Sequence, residues 1–205
     1  MCYSQTNSDI SCRFLRHFKA LEYTQSMNKL GNVIIKINEE TAVGGLFLGG
    51  YRPSINRQFL QRQHVTHILN TAAGLVTFFG PKFETSVKTI VNELNIEYLT
   101  LYWDDDADFE IPIDDIIKGL TFIQNGLTSG NVLVHCAQGK SRSSTIVVAY
   151  VMASMKLSCV KALEYVQERR KMAQPNPGFL KRLAHLNSED KFISFCKELT
   201  GHHES

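Results

Sequence analysis

The chain contains no C-x-x-C pair, and its five cysteines, at positions 2, 12, 136, 159 and 196, are odd in number. Such a set is not expected to form a disulfide framework or a zinc site. Reduced thiols fit a cytoplasmic or nuclear protein. No apolar run approaches the length of a membrane span. The opening MCYSQTNSDI is polar and has no h-region, so no signal peptide is expected, and Cys2 excludes the usual myristoylation signal. Charge of one sign is not in excess: 22 basic and 20 acidic residues leave +2, which argues against general nucleic-acid binding. His17, His64, His67, His185, His202 and His203 show no metal-ligand spacing. There is no internal repeat and no low-complexity tract.

The 205 residues, 43% of them hydrophobic, suffice for one well-packed domain. Residues 11–30 carry Phe14, Leu15, Phe18 and Leu21 at helical spacing, which predicts an amphipathic helix. Strand-like runs follow at 32–37 (NVIIKI), 46–48 (LFL), 66–70 (THILN), 97–103 (EYLTLYW) and 131–136 (NVLVHC). Helices are expected over 53–63, 82–94, 111–127, 142–155, 158–171, 177–187 and 188–199. The one over 142–155 is apolar on nearly every face. Strands alternating with helices indicate an α/β layer fold.

One segment carries chemistry: His135-Cys136-Ala137-Gln138-Gly139-Lys140-Ser141-Arg142-Ser143. A strand delivers a cysteine to a loop, and a helix begins a few residues later. Helix N-termini present free N–H groups and partial positive charge, and a curled loop of backbone N–H groups is an anion nest. Gly139 lets the loop take a positive φ. Arg142 adds a planar fork suited to two phosphate oxygens. The same positive field favours the thiolate of Cys136, so the loop combines an anion clamp with a nucleophile. A buried structural cysteine beside a helix-capping arginine is the plainer reading of such residues, but the full pattern weighs against it. A proton donor must serve a leaving oxygen, and the acidic turn 104–110 (DDDADFE) offers Asp104, Asp105, Asp106 and Asp108.

The segment resembles the H-C-x-x-G-x-x-R-S/T signature of the cysteine-dependent phosphatases, and the dual-specificity branch most closely. Ser141 before the arginine and the downstream Pro175-Asn176-Pro177-Gly178-Phe179, a P-N-x-x-F element, carry that likeness, with LFLG and THILN in support. Gln138 departs from the alanine of many relatives, at the loop rim. The resemblance covers roughly residues 43–187. It implies a single domain with a central mixed sheet of about five strands flanked by helices. It divides the chain into an N-terminal extension with the first strand (1–40), a catalytic domain (41–188), and a C-terminal helix and tail (189–205).

The resemblance further implies hydrolysis of phosphotyrosine and phosphoserine/threonine in proteins through a phosphocysteine, with no metal or cofactor. Cys136 is then the nucleophile and Arg142 the clamp, with Ala137, Gln138, Gly139, Lys140 and Ser141 forming the phosphate loop. Ser143 stabilises the departing thiolate and His135 orients the loop. Counting from Tyr98 as relatives do makes Asp105 the acid, with Asp104 the alternative and Asp106 and Asp108 solvated. Arg170, in the basic cluster Arg169-Arg170-Lys171, is expected either on a solvated helix face or against a second phosphate. Lys140 keeps open a phosphoinositide or inositol phosphate substrate, since relatives of that class carry loop lysines, although position 137 is Ala. A non-catalytic module that binds phosphorylated partners is the third reading.

Overall fold

The computed structural model describes residues 31–36, 44–72, 74, 75 and 79–201. The expected helix over 11–30 and the tail with His202 and His203 lie outside them. Five strands form one sheet: β1 (Gly31–Lys36), β2 (Gly45–Gly49), β3 (Val65–Asn70), β4 (Glu97–Thr100) and β5 (Asn131–His135). Their order is β1-β2-β5-β3-β4, with β1 antiparallel to β2 and every other pair parallel. The helices are α1 (Arg57–Arg62), α2 (Pro81–Glu93), α3 (Ile113–Ser129), α4 (Arg142–Met155), α5 (Cys159–Arg169), α6 (Pro177–His185) and α7 (Asp190–Gly201). Short 3₁₀ turns occupy Arg52–Ile55 and Leu186–Ser188.

Successive strand side chains point to opposite faces, and both faces are covered. Leu46, Leu48, Leu69, Val132 and Val134 enter the larger core with Leu120 and Ile123 of α3, α4 and Phe179 of α6. Phe47, Ile68 and Leu133 face the other way, against Phe59 and Leu60 of α1 and Ile90 of α2. Phe192, Phe195 and Leu199 of α7 join the larger core, and β1 belongs to the sheet, so neither end of the described chain stands apart from the domain. Among the described residues no single helix is long and apolar enough to cross a membrane.

The departures from expectation have local causes. The helix expected over 53–63 is broken at Asn56, whose extended backbone (φ −99°, ψ 93°) lets its side chain accept the Phe59 N–H and cap α1. The strand expected over 97–103 ends at Thr100. Leu101 still donates to the Asn70 carbonyl at 2.8 Å, but β3 has ended there, and the chain turns away. α3 starts two residues late because Pro112 is extended (φ −61°, ψ 139°) and serves as its N-cap. Because β2, β3, β4 and β5 run parallel, their carboxyl ends share one edge of the sheet, where open α/β folds bind ligands.

Candidate active site

β5, buried throughout, ends on His135 and hands the chain to Cys136 at the centre of that edge. The exit of β3 is tied to the same point, since Thr71 donates both its N–H (2.9 Å) and its hydroxyl (3.1 Å) to the His135 carbonyl. The Cys136 sulfur accepts the Gly139 N–H at 3.1 Å and the Ser143 hydroxyl at 3.2 Å. Two donors aimed at one sulfur suit an atom that carries negative charge. Gly139 has φ +71°, and a Cβ there would lie 2.3 Å from the Gly49 carbonyl carbon, so the loop closes against the end of β2 only with glycine.

His135 is fully buried. Its Nδ1 lies 3.3 Å from the Cys136 carbonyl, which only accepts, so Nδ1 carries the proton. Nε2 then accepts from the Tyr98 hydroxyl at 3.5 Å. Burial lowers the His135 pKa to about 4, with the bond to Cys136 opposing, so the ring is neutral near pH 7 and orients the loop. Burial likewise raises Tyr98 to about 12, with Asn70 opposing, so it remains a phenol that can donate.

The loop is braced from beneath. Arg170, 5% exposed, donates its Nε to the Gly139 carbonyl at 2.8 Å and an Nη to the Gln138 carbonyl at 3.2 Å. The Gln174 N–H reaches the Lys140 carbonyl at 2.7 Å. The Arg170 guanidinium is thus turned onto loop carbonyls inside the protein. The expected solvated-face position of Arg170 fails for that reason. Arg169 instead lies over the Tyr165 ring, 3.6 Å from its centroid.

The acidic turn comes to the loop. Asp105 accepts the Ser141 hydroxyl at 2.6 Å and the Asn176 Nδ2 at 3.2 Å, and its other oxygen lies 3.5 Å from Arg142 Nε. Arg142 also donates to the Trp103 carbonyl at 3.2 Å. Its Nε is buried and makes no hydrogen bond among the described residues. Asn176 holds three pieces together. Its Oδ1 caps α6 through the Phe179 N–H, its Nδ2 reaches Asp105 and the Asp106 carbonyl, and its own N–H bonds Ser141 Oγ. Gly178 allows this approach, because a Cβ there would meet the Ala107 carbonyl oxygen at 1.8 Å. Asp104, Asp106 and Asp108 are exposed, as Asp105 is, and Asp106 is turned to the Asp108 N–H at 2.9 Å.

A cysteine cradled by two donors, an arginine at the first turn of the following helix and a carboxylate tied across the loop form one constellation. Residues 46–189 match the family model for the dual specificity phosphatase catalytic domain. The chain belongs to that family. This phosphatase is 38% identical over 139 residues to dual specificity protein phosphatase 1B of Arabidopsis thaliana, covering 68% of this chain and 75% of that one. It is 36% identical over 155 residues to dual specificity protein phosphatase 1 of the same plant (74% and 72%). Among solved structures, DUSP15 superposes with a TM-score of 0.61 at 28% identity, over 78% of this chain and 94% of that one. The human tyrosine phosphatase-like serine/threonine/tyrosine-interacting protein gives 0.62 at 30% identity, over 78% and 97%.

In the phosphatase the motif residues 135–143 and Asp105 meet at one site, although Asp105 and Cys136 come from different loops. Lys140 is exposed on the loop, and Ala137 faces Tyr51, whose N–H donates to the Ala137 carbonyl at 3.2 Å. Three features go beyond what the sequence indicates: the bracing role of Arg170, the triple role of Asn176 and the Trp103 carbonyl. The P-N-x-x-F motif is a signal for Asn176, an N-cap residue three before a buried Phe. Nothing in the sequence marks a main-chain carbonyl as an arginine acceptor.

Proposed function

We propose that Cys136 attacks the phosphorus of a phosphorylated tyrosine, serine or threonine in a protein, and that Asp105 gives its proton to the leaving oxygen as the P–O bond breaks. A water then attacks the phosphocysteine. Asp105 takes the water's proton, the S–P bond breaks, and phosphate leaves. The returning thiolate is received by the Gly139 N–H and the Ser143 hydroxyl. Arg142 and the amides of Ala137, Gln138, Gly139, Lys140 and Ser141 hold the phosphoryl oxygens, and His135 keeps the loop in place. The observation that carries this reading is the 2.6 Å hydrogen bond from Ser141 to Asp105, which ties the acid to the phosphate loop that holds the nucleophile. A thiol nucleophile needs reducing surroundings, so we extend the proposal to a cytoplasmic or nuclear location. With Lys140 the only lysine between Cys136 and Arg142, the loop offers little for several phosphates at once.

The test is turnover of phosphotyrosine and phosphothreonine peptides and of inositol phosphates by wild type and Cys136→Ser. Wild type should hydrolyse peptides and Cys136→Ser none of them. Full activity in Cys136→Ser would remove the nucleophile, and preference for an inositol polyphosphate would replace the protein substrate.

A further inference from the structure

The proposed reaction leaves open which phosphoresidue the pocket prefers. Three aromatic side chains from two segments meet beside the phosphate loop. Tyr51 follows β2, Phe79 precedes α2, and Phe83 lies in the first turn of α2. The Tyr51 and Phe79 ring centroids are 4.4 Å apart, Phe79 and Phe83 5.4 Å, and Tyr51 and Phe83 5.7 Å. Tyr51 and Phe83 border the small apolar cluster that contains Cys136, Ala72 and Leu75. Tyr51 is fixed by its own main chain: its N–H is held by Ala137, and its carbonyl accepts both the N–H (3.0 Å) and the hydroxyl (2.7 Å) of Ser54. Phe79 is 38% exposed, which sets a large apolar surface at the edge of the catalytic cluster.

We propose that Tyr51, Phe79 and Phe83 form a wall that receives the phenyl ring of phosphotyrosine and so makes phosphotyrosine the preferred substrate, a preference that rests on the protein-phosphatase reaction above. A phenyl ring is bonded directly to the ester oxygen, so a ring that leaves the loop on the side of Tyr51 and Phe83, which border the Cys136 cluster, would meet this wall. Phosphoserine and phosphothreonine place a tetrahedral carbon and then main chain there, with polar groups that gain nothing from aromatic faces. Aromatic rings at these separations accept another ring edge-on or offset. A phosphorylated inositol would instead bring anions to π-faces that are themselves negative.

The test uses two peptides identical except for phosphotyrosine or phosphothreonine, with wild type, Phe79→Ala, Phe79→Leu and Phe79→Tyr, each checked by thermal unfolding. Wild type should favour the phosphotyrosine peptide in kcat/KM. Phe79→Ala should cut kcat/KM for that peptide by about three- to tenfold, mainly through KM, and leave the phosphothreonine peptide and vanadate inhibition within about twofold. Phe79→Tyr should retain the preference. If Phe79→Ala unfolds, Phe79→Leu, which keeps the apolar bulk, should still lose part of it. Equal losses on both peptides, no loss on either, or a wild-type preference for phosphothreonine would overturn the wall while leaving the protein-phosphatase reading intact. Hydrolysis of inositol phosphates and of neither peptide would remove both.

Discussion

Four aspartates stand in one turn, and their surroundings sort them. All four are exposed, but Asp105 is touched by Ser141, Asn176 and Arg142, while Asp106 is occupied by the Asp108 N–H. A general acid must share a loop geometry with the nucleophile, and only Asp105 is hydrogen-bonded to a phosphate-loop side chain among the described contacts of this turn. Asp105→Asn should lower turnover of an alkyl phosphate by about 10²–10⁴ and of an aryl phosphate with a good leaving group by much less. Asp104→Asn should stay near wild type on both. Leaving-group series measured on the two variants decide this, and the opposite ranking would transfer the acid to Asp104.

At the level of elements, the site depends on α6 as much as on the phosphate loop. Asn176 caps this helix and pins the acidic turn, and the two duties can be separated. Asn176→Ser keeps a capping hydroxyl but lacks the Nδ2 donors, whereas Asn176→Ala loses both. The serine variant should unfold within a few tenths of a kcal/mol of wild type, and the alanine variant about 1 kcal/mol below it. Both should lose turnover more on poor leaving groups than on good ones, because the acid is less well held. A uniform loss across leaving groups in the serine variant would show that Asn176 does not position the acid.

Most of these elements are legible in the sequence. The apolar run over 142–155 coincides with α4, and the signature outlines the whole cysteine loop. Counting from Tyr98 in the manner of relatives reaches Asp105, and that residue does face the loop. What the sequence conceals is set by partners distant along the chain. β4 stops at Thr100 because its neighbour β3 stops at Asn70. Arg170 turns inward because loop carbonyls 31 and 32 residues earlier need donors. A charged triplet gives no sign of which member will be buried.

For the molecule as a whole, the central position of β5 couples acidity to stability through His135. The unfolded imidazole binds a proton near pH 6.5, whereas the buried one does so only at about 4. The unfolded chain therefore binds more protons between these values, and stability is full above about 6.5 and declines as pH falls towards about 4. Urea unfolding should show a loss of about 2 kcal/mol from pH 7 to pH 5 that is absent from His135→Asn. An equal loss in that variant would assign the acid sensitivity to other groups. The single tryptophan of the chain also lends itself to spectroscopy. Trp103 is 1% exposed, packs against Phe179, donates its indole N–H to Asp115 and gives its carbonyl to Arg142, two residues before Asp105. Its emission is thus an unlabelled optical reporter of the acidic turn, short in wavelength when native and shifted to the red on unfolding. Titration with vanadate draws on the same guanidinium, so the emission should change along the curve that describes inhibition. Emission that stayed flat while the protein became fully inhibited would mean that the turn does not sense what the arginine holds.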